Sequence, residues 1–153
     1  DVNWRPTFWD ADADPSAGPP PSALAAIRPL LEQAALIKLA REEAIWFFGS
    51  AQAQVISGLL PQAPDVVVTD GAEPVTWWME GASGSLAAFR PSDVVDTTGA
   101  GDAFTAGLLH CWDLPPRQRV RFAAGCGALV CRGAGAIDPQ PRAPEVEAFI
   151  SEG

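Results

Sequence analysis

The stretch DTTGAGDAF, residues 96–104, sets a carboxylate near each end of a run made almost entirely of Gly, Ala and Thr. It leads into AFTAGLLHCW, residues 103–112, which is helical by pattern and stops before Pro115 and Pro116. Gly99, Ala100 and Gly101 therefore stand where a loop becomes a helix. A helix start leaves N–H groups free and a partial positive charge facing outward, and small side chains let an anion reach that backbone. Such a loop can cradle a phosphate, or the charge that develops on one during its transfer. Asp102 falls in the first helical turn, where the dipole favours its ionised form. A carboxylate beside an anion hole repels a resting phosphate, so its useful work is to receive a proton from a nucleophilic hydroxyl during phosphoryl transfer. Asp96, with Thr97 and Thr98, offers hard oxygen ligands for a monovalent or divalent cation, or partners for a substrate hydroxyl. A Gly-rich turn capped by Asp and Thr also occurs at ordinary strand-to-helix junctions, where Asp102 would only complement the helix N-terminus.

Two common phosphate motifs do not fit. The P-loop needs a Lys after its second Gly, and none follows such a pair here; the dinucleotide fingerprint needs a third Gly where this chain has Phe104.

Upstream, residues 10–22 (DADADPSAGPPPS) are an acidic, Pro-rich loop without periodicity. Leu24, Ile27, Leu31 and Ala34 recur at helical spacing, which predicts an amphipathic helix over 22–34, disturbed near Pro29. Residues 35–39 (ALIKL) read as a short buried strand, 41–48 (REEAIWFF) as a helix stopped by Gly49, and 51–60 as a second helix ended by Pro61. Residues 65–71 (DVVVTDG) are the clearest strand, β-branched and ending in a turn at Asp70 and Gly71. Residues 75–79 and 85–89 predict a hairpin around a Gly and Ser turn. Downstream of the opening motif come a small-residue helix from about Gln118 to Arg132, a loop over 133–141 and a closing helix with Pro144 in its first turn. Strands alternating with helices predict a single α/β domain with a largely parallel sheet.

Composition narrows the class further. With 48% hydrophobic and 19% charged residues, 153 residues can bury one core. A net charge of -9 opposes nucleic acid and anionic lipid as partners, and no apolar run approaches the roughly 18 residues of a membrane span. The expectation is a soluble, cytoplasmic protein. Cys111, Cys126 and Cys131 lack zinc-site spacing and read as reduced packing residues. His110, alone of its kind, is expected in a partly buried structural place on an apolar helix, and the arginines of PPRQRVR, residues 115–121, on a solvated helix start. Trp77 and Trp78 are adjacent in a strand and so face opposite sides. The first nine residues, DVNWRPTFW, have functional residue types where a frayed tail is usual, which suggests a chain cut from something longer.

The run DTTGAGDAFTAGLL closely resembles the C-terminal signature of the ribokinase-like (PfkB) carbohydrate kinases. Further segments agree in order: DVNWRPTFW resembles the D-x-N-x-R-x-x-x-W segment of the fructokinase branch, IKLAREEA its Lys-containing strand and x-x-E turn, VVVTDGAEPV its T-x-G strand end, and GAGAIDPQP its terminal loop. The resemblance implies a ribokinase-like three-layer α/β/α sandwich, of which residues 1–153 form the C-terminal, nucleotide-binding portion. It implies ATP-dependent phosphorylation of a sugar hydroxyl, with ATP, Mg²⁺ and K⁺ as cofactors and a homodimer in the full-length protein. Carried over residue by residue, Asp102 matches the catalytic base and Gly99, Ala100 and Gly101 the anion hole. Thr69 and Gly71 match the strand end that contacts ATP phosphates; Glu43 matches the acid that organises Mg²⁺ through water. Asp96, Thr98 and Gly135 match the monovalent-cation site, and Asn3 and Arg5 the segment near nucleotide and acceptor. Departures are Ala40 for the usual Asn or Ser, Asp70 within T-x-G, and Ala124 where relatives place an Asn near adenine. Relatives are roughly twice as long, so the alternative is a non-catalytic nucleotide-binding fragment that needs its missing N-terminal half.

Overall fold

In the computed structural model, which describes residues 1–152, four strands form one sheet in the order β1-β2-β3-β4: β1 (Leu36–Ala40), β2 (Asp65–Asp70), β3 (Glu73–Met79) and β4 (Ala82–Leu86). Seven helices accompany them among the described residues: α1 (Pro6–Trp9), α2 (Pro21–Leu31), α3 (Arg41–Phe48), α4 (Ala53–Gly58), α5 (Ala100–His110), α6 (Pro116–Val130) and α7 (Ala143–Glu152). Strands β1 and β2 are parallel, with Leu36 opposite Asp65 and Ala40 opposite Thr69, because the helical crossover α3–α4 returns the chain to the same end. Two-residue connections then carry the chain from β2 to β3 and from β3 to β4, which admits only antiparallel neighbours.

Contacts divide the chain into two units. The first holds residues 1–70 and 76–84. Its core joins Ile37, Leu39, Val66 and Val68 of the parallel pair to Leu31, Ala44 and Ile56 of the helices. Helix α2 has Pro21 at its first position, where a missing N–H costs nothing, and runs two residues past Pro29 to end at Leu31, short of the expected 34. The hairpin differs from expectation too. Its turn is Glu80–Gly81, both with positive φ (53° and 79°), the combination a tight two-residue turn requires. The Glu80 N–H donates to the Asp65 carboxylate at 2.9 Å, which supports a non-glycine residue in that conformation. The second strand consequently starts at Ala82 and ends at Leu86. Gly84 serves as floor for Trp77: a Cβ there would lie 2.1 Å from the indole. Trp77 is buried and Trp78 half-buried, as alternation along a strand requires.

The second unit holds residues 71–75 and those from 85 onward. Helices α5 and α6 approach closely because Gly107 faces the backbone of Ala123, where a Cβ would come within 2.8 Å of its Cα. Ala103, Phe122, Cys126, Val130 and Val146 form the core between α5, α6 and α7. Of the arginines at the α6 start, Arg117 is exposed as expected, and the other two correct the sequence reading. Arg119 is buried, donates to the Leu114 carbonyl at 3.0 Å and lies 5.0 Å over the Trp112 ring; Arg121 is half-buried, donates to the Ile150 carbonyl and lies over Phe89. Their stems cover apolar surface while the guanidinium groups cap carbonyls, which periodicity does not reveal. His110 is exposed instead of partly buried, and stacks on Phe122 at 5.3 Å. The three thiols are free and buried; burial, and secondarily Cys111 nearby, push Cys126 up to about 11. No described helix is long and apolar enough to cross a membrane.

Candidate active site

Helix α5 begins at Ala100, with Gly99 as its N-cap in the left-handed region at φ 82°. Two constraints keep a side chain out of position 99. Positive φ disfavours one, and a Cβ would meet the Cβ and Cα of Ala136 at 2.8 and 2.9 Å. The turn is closed by Ala100 N–H to Thr97 C=O at 3.2 Å and Ala103 N–H to Gly99 C=O at 2.9 Å. Among the described residues, the N–H groups of Gly99, Gly101 and Asp102 find no acceptor. Three donors are thus left without an acceptor at one helix start, as the first turn of any helix leaves them.

Asp102 is the third residue of α5 and is exposed. From N3 it could reach back to the N-cap amide, yet no side chain caps this helix and its carboxylate takes no hydrogen bond among the described residues. It therefore keeps its oxygens available to a proton donor. Asp96 behaves oppositely. Its Oδ1 accepts from both the Thr98 hydroxyl (2.7 Å) and the Thr98 N–H (2.9 Å), and its Oδ2 accepts from the Gly135 N–H at 2.9 Å. The Thr98 hydroxyl first, then the two amides, hold this carboxyl below the usual carboxylate range. Asp96, Thr98 and Gly135 are thus brought together although 39 positions separate the outer pair. The N–H groups of Val95 and Asp96 both donate to the Cys131 carbonyl, at 2.8 and 3.2 Å, and tie the segment to the end of α6.

In the first unit, Thr69 is half-buried at the end of β2, its hydroxyl 3.4 Å from the Leu39 carbonyl; the turn after it contains Gly71 at φ 55°. Asp70 lies 3.6 Å from Arg41, an exposed pair of small energetic weight that supplies the acid at this unusual position with a partner. Glu43 is buried, and both of its oxygens accept backbone amides: Oε1 from Trp4 at 2.6 Å and Oε2 from Ala40 at 2.8 Å. Ala40 has no side-chain acceptor, so only half of a capping box exists at the start of α3. Asn3 and Arg5 flank Trp4 with exposed side chains, and Asn3 has φ 48°. Sequence reading missed the Glu43 to Trp4 bond and the pair that buried Lys38 makes with Asp1 at 3.4 Å, since neither leaves a local signal. Ala124 is buried within α6. Among the described residues no cluster of three or more His, Cys, Asp or Glu side chains is set to hold a metal.

A family model described as pfkB family carbohydrate kinase matches residues 3–143. "Probable fructokinase-6, chloroplastic" of Arabidopsis thaliana is 34% identical over 92% of this chain and 38% of its own length. The fructokinase of Xylella fastidiosa, solved with bound ATP, superposes with a TM-score of 0.77 at 29% identity, over 98% of this chain and 50% of that one. The fructokinase of Vibrio cholerae, solved with fructose, ADP and calcium ion, gives 0.73 at 28% identity over 84% and 45%. The chain spans half or less of the length of these relatives. Its fold is ribokinase-like α/β. The chain belongs to the pfkB family of carbohydrate kinases.

Proposed function

We propose that this pfkB family member is the C-terminal, nucleotide-side portion of a single sugar kinase domain that transfers the γ-phosphoryl group of ATP to a hydroxyl of fructose or a related ketose. One observation carries the reading: the start of α5 joins three amides without an acceptor among the described residues, at Gly99, Gly101 and Asp102, to a carboxylate that none of those residues engages. Negative charge develops on the transferring group as the acceptor hydroxyl loses its proton, so donors and base are needed within one turn of each other. In this reading Gly99, Ala100 and Gly101 form the anion hole and Asp102 is the base. Thr69 and Gly71 line the phosphates of ATP, and Asn3 and Arg5 serve the nucleotide or acceptor side.

The donor set accords with a cation of modest demand. Asp96 and Thr98 are hard oxygen donors with lone pairs remaining after their mutual bonds, and backbone carbonyls of the loop at Gly135 would complete a K⁺ site. Mg²⁺ keeps several waters and is held largely by substrate phosphates; a water-mediated role for Glu43 would have to share the two oxygens that already accept the Trp4 and Ala40 amides. When bound with ATP, the metal neutralises charge on the phosphates. Names of relatives support the rest: fructokinases recur, one solved with ATP and another with fructose and ADP. The complete protein is read as a cytoplasmic enzyme that pairs as a homodimer.

The test is a coupled ADP-release assay with fructose and a sugar panel, Mg²⁺-ATP and K⁺, on this chain and on one extended upstream. Asp102→Ala in the active form should lower kcat about 10³-fold while the KM for ATP stays within about threefold. Undiminished turnover would remove Asp102 from the mechanism.

A further inference from the structure

Glu43 spends its carboxylate on two backbone amides, and only one of them belongs to the helix it starts. The Ala40 bond at 2.8 Å is the local half of a capping box. The Trp4 bond at 2.6 Å spans 39 positions and does nothing for the initiation of α3. Both are charge-assisted and short, the stronger class of hydrogen bond, and Glu43 is only 6% exposed, so water does not compete well for it.

What the second bond secures is a bend. Upstream of it, the Val2 N–H donates to the Lys38 carbonyl at 3.3 Å, and the buried Lys38 ammonium lies 3.4 Å from the Asp1 carboxylate. Downstream, the Trp4 indole N–H donates to the Ala17 carbonyl at 2.9 Å and the Arg5 guanidinium to the Trp4 carbonyl at 2.9 Å. Between these ties Asn3 takes φ 48°, a conformation that non-glycine residues hold only when the surroundings impose it. We propose that Glu43 is a positioning residue: by holding the Trp4 amide, its carboxylate fixes the turn at Asn3 and so sets where the Asn3 and Arg5 side chains point. Without that acceptor Asn3 relaxes toward extended backbone, which rotates the Trp4 peptide and carries away the Arg5 guanidinium bonded to its carbonyl. This differs from an acid acting on metal-bound water, and it depends on the kinase reading only for what Asn3 and Arg5 do once placed.

Glu43→Gln tests it, because the two amides are bonded to different carboxylate oxygens and the side-chain amide leaves a single oxygen, with an NH₂ donor where the other stood. Labelling the six tryptophans with ¹⁵N makes the Trp4 backbone amide readable by hydrogen exchange without any ligand. Its exchange should accelerate at least about tenfold, with the Trp77, Trp78 and Trp112 amides unaffected. Adding Ala40→Ser, which rebuilds the missing half of the α3 cap, should return the melting midpoint of Glu43→Gln toward wild type and leave Trp4 unprotected; this second variant serves also if Glu43→Gln alone folds poorly. In the ADP-release assay the effects of Glu43→Gln and Arg5→Ala on KM should fail to add, because one acts through the other. Unchanged Trp4 protection in both variants, or its recovery with Ala40→Ser, overturns the assignment; so does simple additivity, which would leave only a structural tie. A raised Mg²⁺ requirement with Trp4 still protected would overturn it in favour of the metal. If the wild type transfers no phosphoryl group, the kinase reading fails, and the Trp4 amide still decides what Glu43 holds.

Discussion

Glu43 and Asp102 occupy the same place in two helices, the third residue of α3 and of α5, and meet opposite fates. Glu43 is buried and satisfied by two amides, one of them 39 positions away. Asp102 is exposed and accepts none from the described residues. The helix dipole favours both anions alike, so the dipole cannot be what separates them. The N-caps differ: Ala40 is extended (φ -70°, ψ 155°) and donates its amide to the Glu43 side chain, whereas Gly99 is left-handed (φ 82°) and its helix has no side-chain cap. A longer side chain also lets Glu43 fold back where Asp102 projects. A carboxylate whose oxygens are taken organises backbone; one left open can take a proton.

The sharpest way to break this comparison is to truncate both acids and measure urea unfolding. Glu43→Ala strands one buried and one half-buried amide and should cost about 2–5 kcal/mol, whereas Asp102→Ala removes only a dipole interaction and should cost less than about 1 kcal/mol. Equal costs would mean that Asp102 has structural partners after all. Gly99→Ala comes next: a left-handed cap and a Cβ pressed on Ala136 together should cost about 2–4 kcal/mol, and should weaken nucleotide binding beyond that loss if the amides of that helix start hold phosphate. Ala40→Ser sharpens the comparison from the other side. It completes the α3 capping box and should raise stability by about 0.5–1 kcal/mol, seen as a higher urea midpoint at constant slope.

The smallest effect concerns Asp96. Its carboxyl is held below the ordinary range, so the bond to the Gly135 amide is fully present above that range and is lost as pH falls through the depressed value, below about pH 4. The Gly135 amide should lose protection in that window and not above it, and Asp96→Asn should remove the pH dependence.

Most of what the opening stretch does was legible because it is local. The glycines, the threonines and the onset of α5 fall within one turn, where positive φ, free amides and first-turn acidity follow from residue type and spacing. The strand β2 and the stop of α3 at Gly49, which is left-handed at φ 68°, follow from the same kind of local preference. Arg119 and Arg121 were misread since a guanidinium can bury its stem against an aromatic ring, a choice made by neighbours such as Trp112 and Phe89 and not by helical period. The hairpin turn was misplaced because Glu80 is no turn former by itself; the Asp65 carboxylate, 15 positions away, steadies its amide there.

Residue order by itself determined the family, the alternation of strands and helices, and the left-handed glycine start of α5, since each is written in short-range conformational preference. Which carboxylates are consumed and which stay open was settled only by tertiary structure. Trp4 with Glu43, and Asp96 with Gly135, meet across 39 positions, and hydrogen bonds at that separation exist only after the packed core has brought the segments together.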